Sequence, residues 1–272
     1  MKHRVWLTCL LLIVSVSGAV GYEFWLQPAR FFVSPGMTIR VQTLVGERFT
    51  GELSEGHKKR IVLYKHHSAS GTVDLSAALA GDHYGETSVK LTQPGTHVLV
   101  FANTPKFIRM EPDQFLNYLN EDGLDNVIAA REEAADTLKP GYELYSRCAK
   151  TMVQVGDNPD PTLPASSSLT LDIVPLQNPY TLRAGQRLRL QILFNNKPQP
   201  DALVRYWAKS ETGQVEADVV RSDRRGQVQF KLKAGQNMVS TVRMIPAPIN
   251  RNVPETADWR SYWSSLTFGC RP

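Results

Sequence analysis

Only three of the 272 residues are cysteine: Cys9, Cys148 and Cys270. That is too few for a cysteine-rich zinc module or for a densely bridged secreted scaffold. No stretch beyond residue 21 approaches the ~20 apolar residues of a membrane-spanning helix. A dense basic run is also missing. The formal charge of +5 is a mild excess, and His57-Lys58-Lys59-Arg60 reads as a solvated loop, so nucleic acid is not an expected partner. The chain contains no H-E-x-x-H, no G-x-S-x-G and no Walker glycine loop. No catalytic residues are therefore assigned, and the expectation is a protein that is not an enzyme. Heptads and short internal repeats are lacking too.

What is present begins with an address. Met1-Lys2-His3-Arg4 is a basic start, Val5 to Val16 is apolar, and Ser17-Gly18-Ala19-Val20-Gly21 is small. That order is a secretory signal peptide (1–21). Its apolar part would span about 18 Å as a helix, short of a bilayer core of roughly 30 Å. Cleavage fits after Ala19 or after Gly21, and the second, which leaves Tyr22 first, is the expected point. Cys9 has no lipobox before it. The expected location is the periplasm, with no transmembrane segment after cleavage. Removal of Lys2 and Arg4 lowers the charge from +5 to +3. In that oxidising compartment the remaining pair, Cys148 and Cys270, is expected to form a disulfide.

The rest reads as mostly β, in two Ig-like or prealbumin-like sandwich domains. The first (22–156) holds alternating runs such as Thr38 to Val45, with Ile39, Val41 and Thr43 on one face, and the β-prone Thr96 to Ala102. A helical hairpin is expected within it at about 112–139. Pro112 opens that hairpin, Phe115, Leu116 and Leu119 form an apolar stripe, and Gly123 takes a left-handed cap. A Pro-, Ser- and Asp-rich linker (157–168) follows. The second domain (169–272) has alternating strands such as Arg187 to Phe194, with turns at Asn195-Asn196 and Asp223 to Gly226.

Five segments carry a resemblance. They are Glu23-Phe24-Trp25-Leu26-Gln27-Pro28, Gly46-Glu47-Arg48-Phe49, Phe115 to Asp125, Tyr145-Ser146-Arg147 and Asp258 to Phe268. In this order they resemble domain-of-unknown-function family 4198, described as a NikM-like periplasmic component of nickel or cobalt uptake. The resemblance implies a binding or accessory protein, Ni²⁺ or Co²⁺ as its ion, and a membrane transporter component or another envelope protein as partner. Members commonly begin with His where this chain has Tyr22, and carry His where it has Arg243. Both imidazoles are thus replaced, and Arg243 cannot coordinate.

The candidate metal ligands are the Tyr22 terminal amine, Glu23, His66, Asp82 and His83. His66-His67 is the one adjacent pair; on a strand the two would point to opposite faces, and both are expected in an exposed loop. His97 is expected to face solvent. Trp25, Trp259, Tyr262 and Trp263 are the aromatic candidates for a binding groove. The alternative to the metal reading is a structural or protein-interaction module that binds no metal.

Overall fold

A computed structural model describes residues 22–79, 81–159, 167, 169–248 and 256–272. The expected leader with its cleavage points and Cys9, and residues 160–166 and 168 of the expected linker, lie outside the described residues. The fold is mostly β. The first half holds β1 (Glu23–Pro28), β2 (Phe32–Val33), β3 (Met37–Glu47), β4 (Thr50–Leu53), β5 (Ile61–Ser68), β6 (Gly71–Asp74), β7 (Glu86–Leu91), β8 (Gly95–Asn103) and β9 (Lys106–Met110). Helices α1 (Pro112–Glu121) and α2 (Asp125–Glu133) precede β10 (Gly141–Val155). The second half holds β11 (Leu171–Pro175), β12 (Arg187–Phe194), β13 (Lys197–Pro198), β14 (Leu203–Lys209), β15 (Val215–Arg221), β16 (Gln227–Lys231), β17 (Gly235–Pro246) and β18 (Trp259–Cys270).

The two halves share one sheet. Its strand order is β15-β14-β17-β18-β10-β8-β5-β6, so a block of second-half strands meets a block of first-half strands edge to edge at β18 and β10. The join is a parallel ladder in which Glu143 to Thr151 of β10 pair with Trp259 to Thr267 of β18. A sheet of β1, β3, β4 and β7 covers one face, and a sheet of β11, β12, β13 and β16 covers the other.

The central strands show why both faces must be covered. On β8, Val98 and Val100 enter the core under β11 and β12, while Leu99 and Phe101 enter the core under β1 and β3. On β10, Cys148 and Met152 go one way and Ala149, Val153 and Val155 the other. Such near-continuous apolar runs belong to strands buried on two sides. β18 solves the same problem with hydroxyls. Leu266 and Phe268 fill one core, while Ser265 Oγ and Thr267 Oγ1 donate to the Phe24 and Leu26 carbonyls of β1, each at 2.6 Å. Those bonds satisfy carbonyls that would otherwise be buried without partners.

Two expectations are corrected. Cys148 and Cys270 are both free and buried. Cys148 lies opposite Ser264 across the ladder, and Cys270 is six residues farther along β18. At ~3.3 Å per residue that is about 20 Å, whereas a disulfide needs Cα atoms within roughly 7 Å. The helical stripe is rotated as well. α1 buries Phe115, Tyr118 and Leu119, and Leu116 is exposed, because Tyr118 finds a stacking partner in Trp263. α2 stops at Glu133, ahead of Ala135 in a left-handed conformation (φ 54°), and Leu138 is exposed.

Phe268→Ala should lower unfolding stability by about 3–5 kcal/mol, since the side chain is fully buried in the shared strand. Urea titration followed by fluorescence and circular dichroism should show one coincident transition, unmoved by reducing agent. A midpoint that drops on reduction would contradict the free thiols.

Candidate functional site

The expected metal ligands fall in separate places. His66 and His67 sit on β5, not in a loop, and face opposite sides. His66 is buried against His97, which is itself buried rather than solvent-facing, with rings stacked at 4.9 Å. His97 Nε2 lies 2.8 Å from the Gln93 carbonyl, which can only accept, so His97 Nε2 carries the hydrogen and its Nδ1 accepts from His66 Nε2 at 2.7 Å. Burial, reinforced by the charges of His97 and His67, lowers the His66 pKa to about 4. His83 is exposed, donates Nδ1 to the Glu55 carbonyl at 2.6 Å, and stands beside His57 with ring centroids 6.1 Å apart. Asp82 pairs with Lys58 at 3.3 Å. Glu23 begins β1 and Tyr22 precedes it, elsewhere again. Among the described residues no three His, Cys, Asp or Glu side chains converge on one position.

Glu23 belongs to a different constellation. Alternation along β14, β17, β18 and β10 places Arg205, Trp207, Ser240, Ser261, Trp263 and Glu143 on the face of the shared sheet that β1 covers. Part of this face lies under the β3–β4 hairpin, where Trp25, Phe49 and Met238 form a cluster joined by Trp207. Another part lies under the helices, where Phe115, Tyr118 and Val127 meet Val242, Met244, Trp259 and Trp263. The seam between the two covers is polar. Arg205 Nη1 donates to Asp122 Oδ1 at 2.5 Å, and Nη2 donates to the Glu121 carbonyl. Glu143 Oε1 accepts from Ser261 Oγ and from Tyr118 OH at 3.3 Å.

The seam opens into a pocket of about 280 Å³ lined by Glu23, Glu47, Arg48, Asp122, Arg205 and Trp207, with Glu121 at its edge. Three features coincide in this region. Burial raises the Glu23 pKa to about 7, only partly offset by Arg205; burial raises Asp122 to about 6 and Glu143 to about 7. Trp207 Nε1, Ser240 Oγ and Glu143 Oε2 are buried with no hydrogen-bond partner among the described residues. The two-residue β3–β4 turn, Arg48-Phe49, has φ of 51° and 57°, where Asn-Gly would be at ease. Burial of Phe49 beneath Trp25 holds this conformation and keeps Arg48 at the pocket. Strain of this kind costs on the order of 1–3 kcal/mol.

Of the residues expected from sequence, Glu23 lines the pocket, Trp25 packs behind it, and Trp259 and Trp263 lie under the helices. Tyr262 points to the opposite face, where it meets Phe194 at 5.1 Å and the Arg260 guanidinium at 4.5 Å. The expected aromatic groove is therefore split by the period of the strand. Asp122, Glu143, Arg205 and Trp207 were not anticipated. Glu143 had a detectable signal, a carboxylate in phase with inward-facing residues of its strand.

The family described as "Domain of unknown function (DUF4198)" matches residues 19–244, and the chain belongs to that family. No curated protein matches. Among solved structures, the D0-D1 domain of intimin is 11% identical, with 91% of this chain and 97% of that chain covered and a TM-score of 0.21. A DUF3823 family protein from Bacteroides uniformis is 10% identical, with 92% and 100% covered and a TM-score of 0.22. The E. coli alpha-2-macroglobulin is 10% identical, with 92% of this chain but 16% of that chain covered and a TM-score of 0.21.

Glu143 should make stability depend on pH. Its folded pKa of about 7 lies above the ordinary 4.5, so the folded state holds the proton more tightly. This contribution is complete below 4.5 and is lost as pH rises through about 7. Its size is ~3 kcal/mol. The difference in unfolding free energy between wild type and Glu143→Gln, measured from pH 4.5 to 8, should shift by that order in favour of the variant. A difference independent of pH would contradict the buried acid.

Proposed function

We propose that this member of the DUF4198 family is an exported, non-enzymatic binding or accessory protein of the periplasm, and that its ligand site is the pocket around Glu23. On this reading the fold is two Ig-like sandwich halves, 22–156 and 169–272, fused through the shared sheet, with the helices inserted in the first. The observation that carries the site is the meeting of a buried Glu23, the Arg205–Asp122 pair and the Trp207 indole at one pocket. A concave site with a few convergent polar groups and shifted carboxyl pKa values is where a ligand is expected. The lining is carboxyl, guanidinium and indole, with no Ser, Cys or His, which supports binding over nucleophilic chemistry.

Four carboxyl groups against two guanidinium groups favour a cationic ligand. The nickel or cobalt ion that the family resemblance implies is less well supported, since nitrogen donors suit those ions and no imidazole lines this pocket. His66 is engaged with His97, and Asp82 with Lys58. The residues present do not fit a nickel or cobalt centre, and an organic ammonium is the better match. The second reading, an interaction module that docks an envelope protein or transporter component without metal, draws on the exposed outer strands β6 and β15, which carry exposed Val73 and Val219. Outer strands of this kind offer unpaired backbone to a partner.

Calorimetric titration of the processed protein with spermidine, Ni²⁺ and Co²⁺ separates these readings. The expected result is spermidine binding tighter than millimolar, weakened at least roughly tenfold in Glu23→Gln, with no comparable metal binding. Submillimolar nickel binding would restore the metal-uptake reading, and no binding of any of the three would leave the interaction module.

A further inference from the structure

We propose that Lys150 and Asp172 become joined by an intramolecular isopeptide bond, a covalent staple between β10 and β11. The two side chains touch as an ion pair and are 5% and 0% exposed. Even the Arg205–Asp122 pair leaves its arginine 17% exposed, and every other ion pair among the described residues is more open than that. Asp172 also sits out of phase with Leu171 and Ile173, its apolar neighbours on β11, yet is fully buried. Two full charges held away from water carry a large desolvation cost, and conversion to a neutral amide removes it.

The surroundings supply what the condensation needs. Oδ2 of Asp172 accepts from both the backbone N–H and the Oγ–H of Ser167, each at 2.9 Å. That arrangement stabilises negative charge on Oδ2 when Cγ becomes tetrahedral. Oδ1, the oxygen that must leave, is the one in contact with Nζ of Lys150. A cavity of about 20 Å³ adjoins Lys150, with His67, Met152, Ser167 and Leu266 among its lining residues. It has room for the one water released. His67 Nδ1 bonds to Thr72 Oγ1 at 2.8 Å, and burial, with Lys65 and Lys150 close by, lowers its pKa, so a neutral imidazole is on hand to relay a proton.

The step balances without any co-reactant. Within the ion pair a proton passes from the Lys150 ammonium to Oδ1, leaving a neutral amine and a neutral acid. Nζ attacks Cγ and the C–N bond forms. A second ammonium hydrogen follows to Oδ1, the C–Oδ1 bond breaks, and water leaves. The third hydrogen remains on the amide nitrogen. Burial of Asp172 favours the neutral acid, whereas Lys150 and Ser167 favour the carboxylate and hold its pKa below the usual range. The ion pair is thus the resting state from which the transfer starts.

Mass spectrometry of the purified full chain tests this without any variant. The expected result is a protein lighter than its linear sequence by one water, together with a branched tryptic peptide that contains both Lys150 and Asp172 and no cleavage after Lys150. Lys150→Arg, which keeps the cation, should have the linear mass. A wild-type linear mass with peptides ending at Lys150 would overturn the proposal. So would a water loss mapped to any other residue.

Discussion

The parallel ladder between β10 and β18 is the constraint from which the other features follow. It joins residues more than a hundred positions apart and makes one sheet out of strands from both halves. Once the ladder forms, each central strand has two faces to bury. That requirement explains the unbroken apolar runs of β8 and β10, and the placement of one covering sheet above and another below. It also explains the hydroxyl pair Ser265 and Thr267, which bonds to β1 carbonyls where a larger apolar side chain would hold β1 away.

The seam pocket is a by-product of the same design. One face of the shared sheet receives two unrelated covers, a hairpin-bearing sheet and a pair of helices. They meet along a line that neither closes fully, and there the fold brings together Glu23, Asp122 and Glu143 with raised pKa values, unpartnered buried polar atoms, and a strained Arg48-Phe49 turn. The depressed histidines His66 and His97 act in the opposite sense on acidification, since both must be neutral to remain buried. Stability is therefore highest where neither group has been forced into its charged form.

Local periodicity was legible in the sequence, and pairing across distance was not. The alternation of Ile39, Val41 and Thr43, that of Leu188, Leu190 and Ile192, and the split of Phe24 and Leu26 from Trp25 all appear where a period of two puts them. The disulfide expectation failed because parity and compartment say nothing of register, and register sets Cys148 and Cys270 far apart. Leu116 was expected inside because the apolar stripe was read without Tyr118, whose ring has a flat partner only once Trp263 arrives from the far end of the chain. Glu23 was singled out as a metal ligand beside the expected Tyr22 terminus, but its companions Asp122 and Arg205 come from a helix terminus and a distant strand. No spacing rule links them.

Native-state hydrogen exchange on the intact chain tests the shared sheet most directly. Amides of β10 around Cys148 to Val153 and of β18 around Ser264 to Phe268 should exchange slowly and through a common opening, with equal free energies and equal denaturant dependence. If the β18 amides opened independently at distinctly lower free energy while β10 stayed protected, the two halves would be separate units and the ladder would not be what unites them.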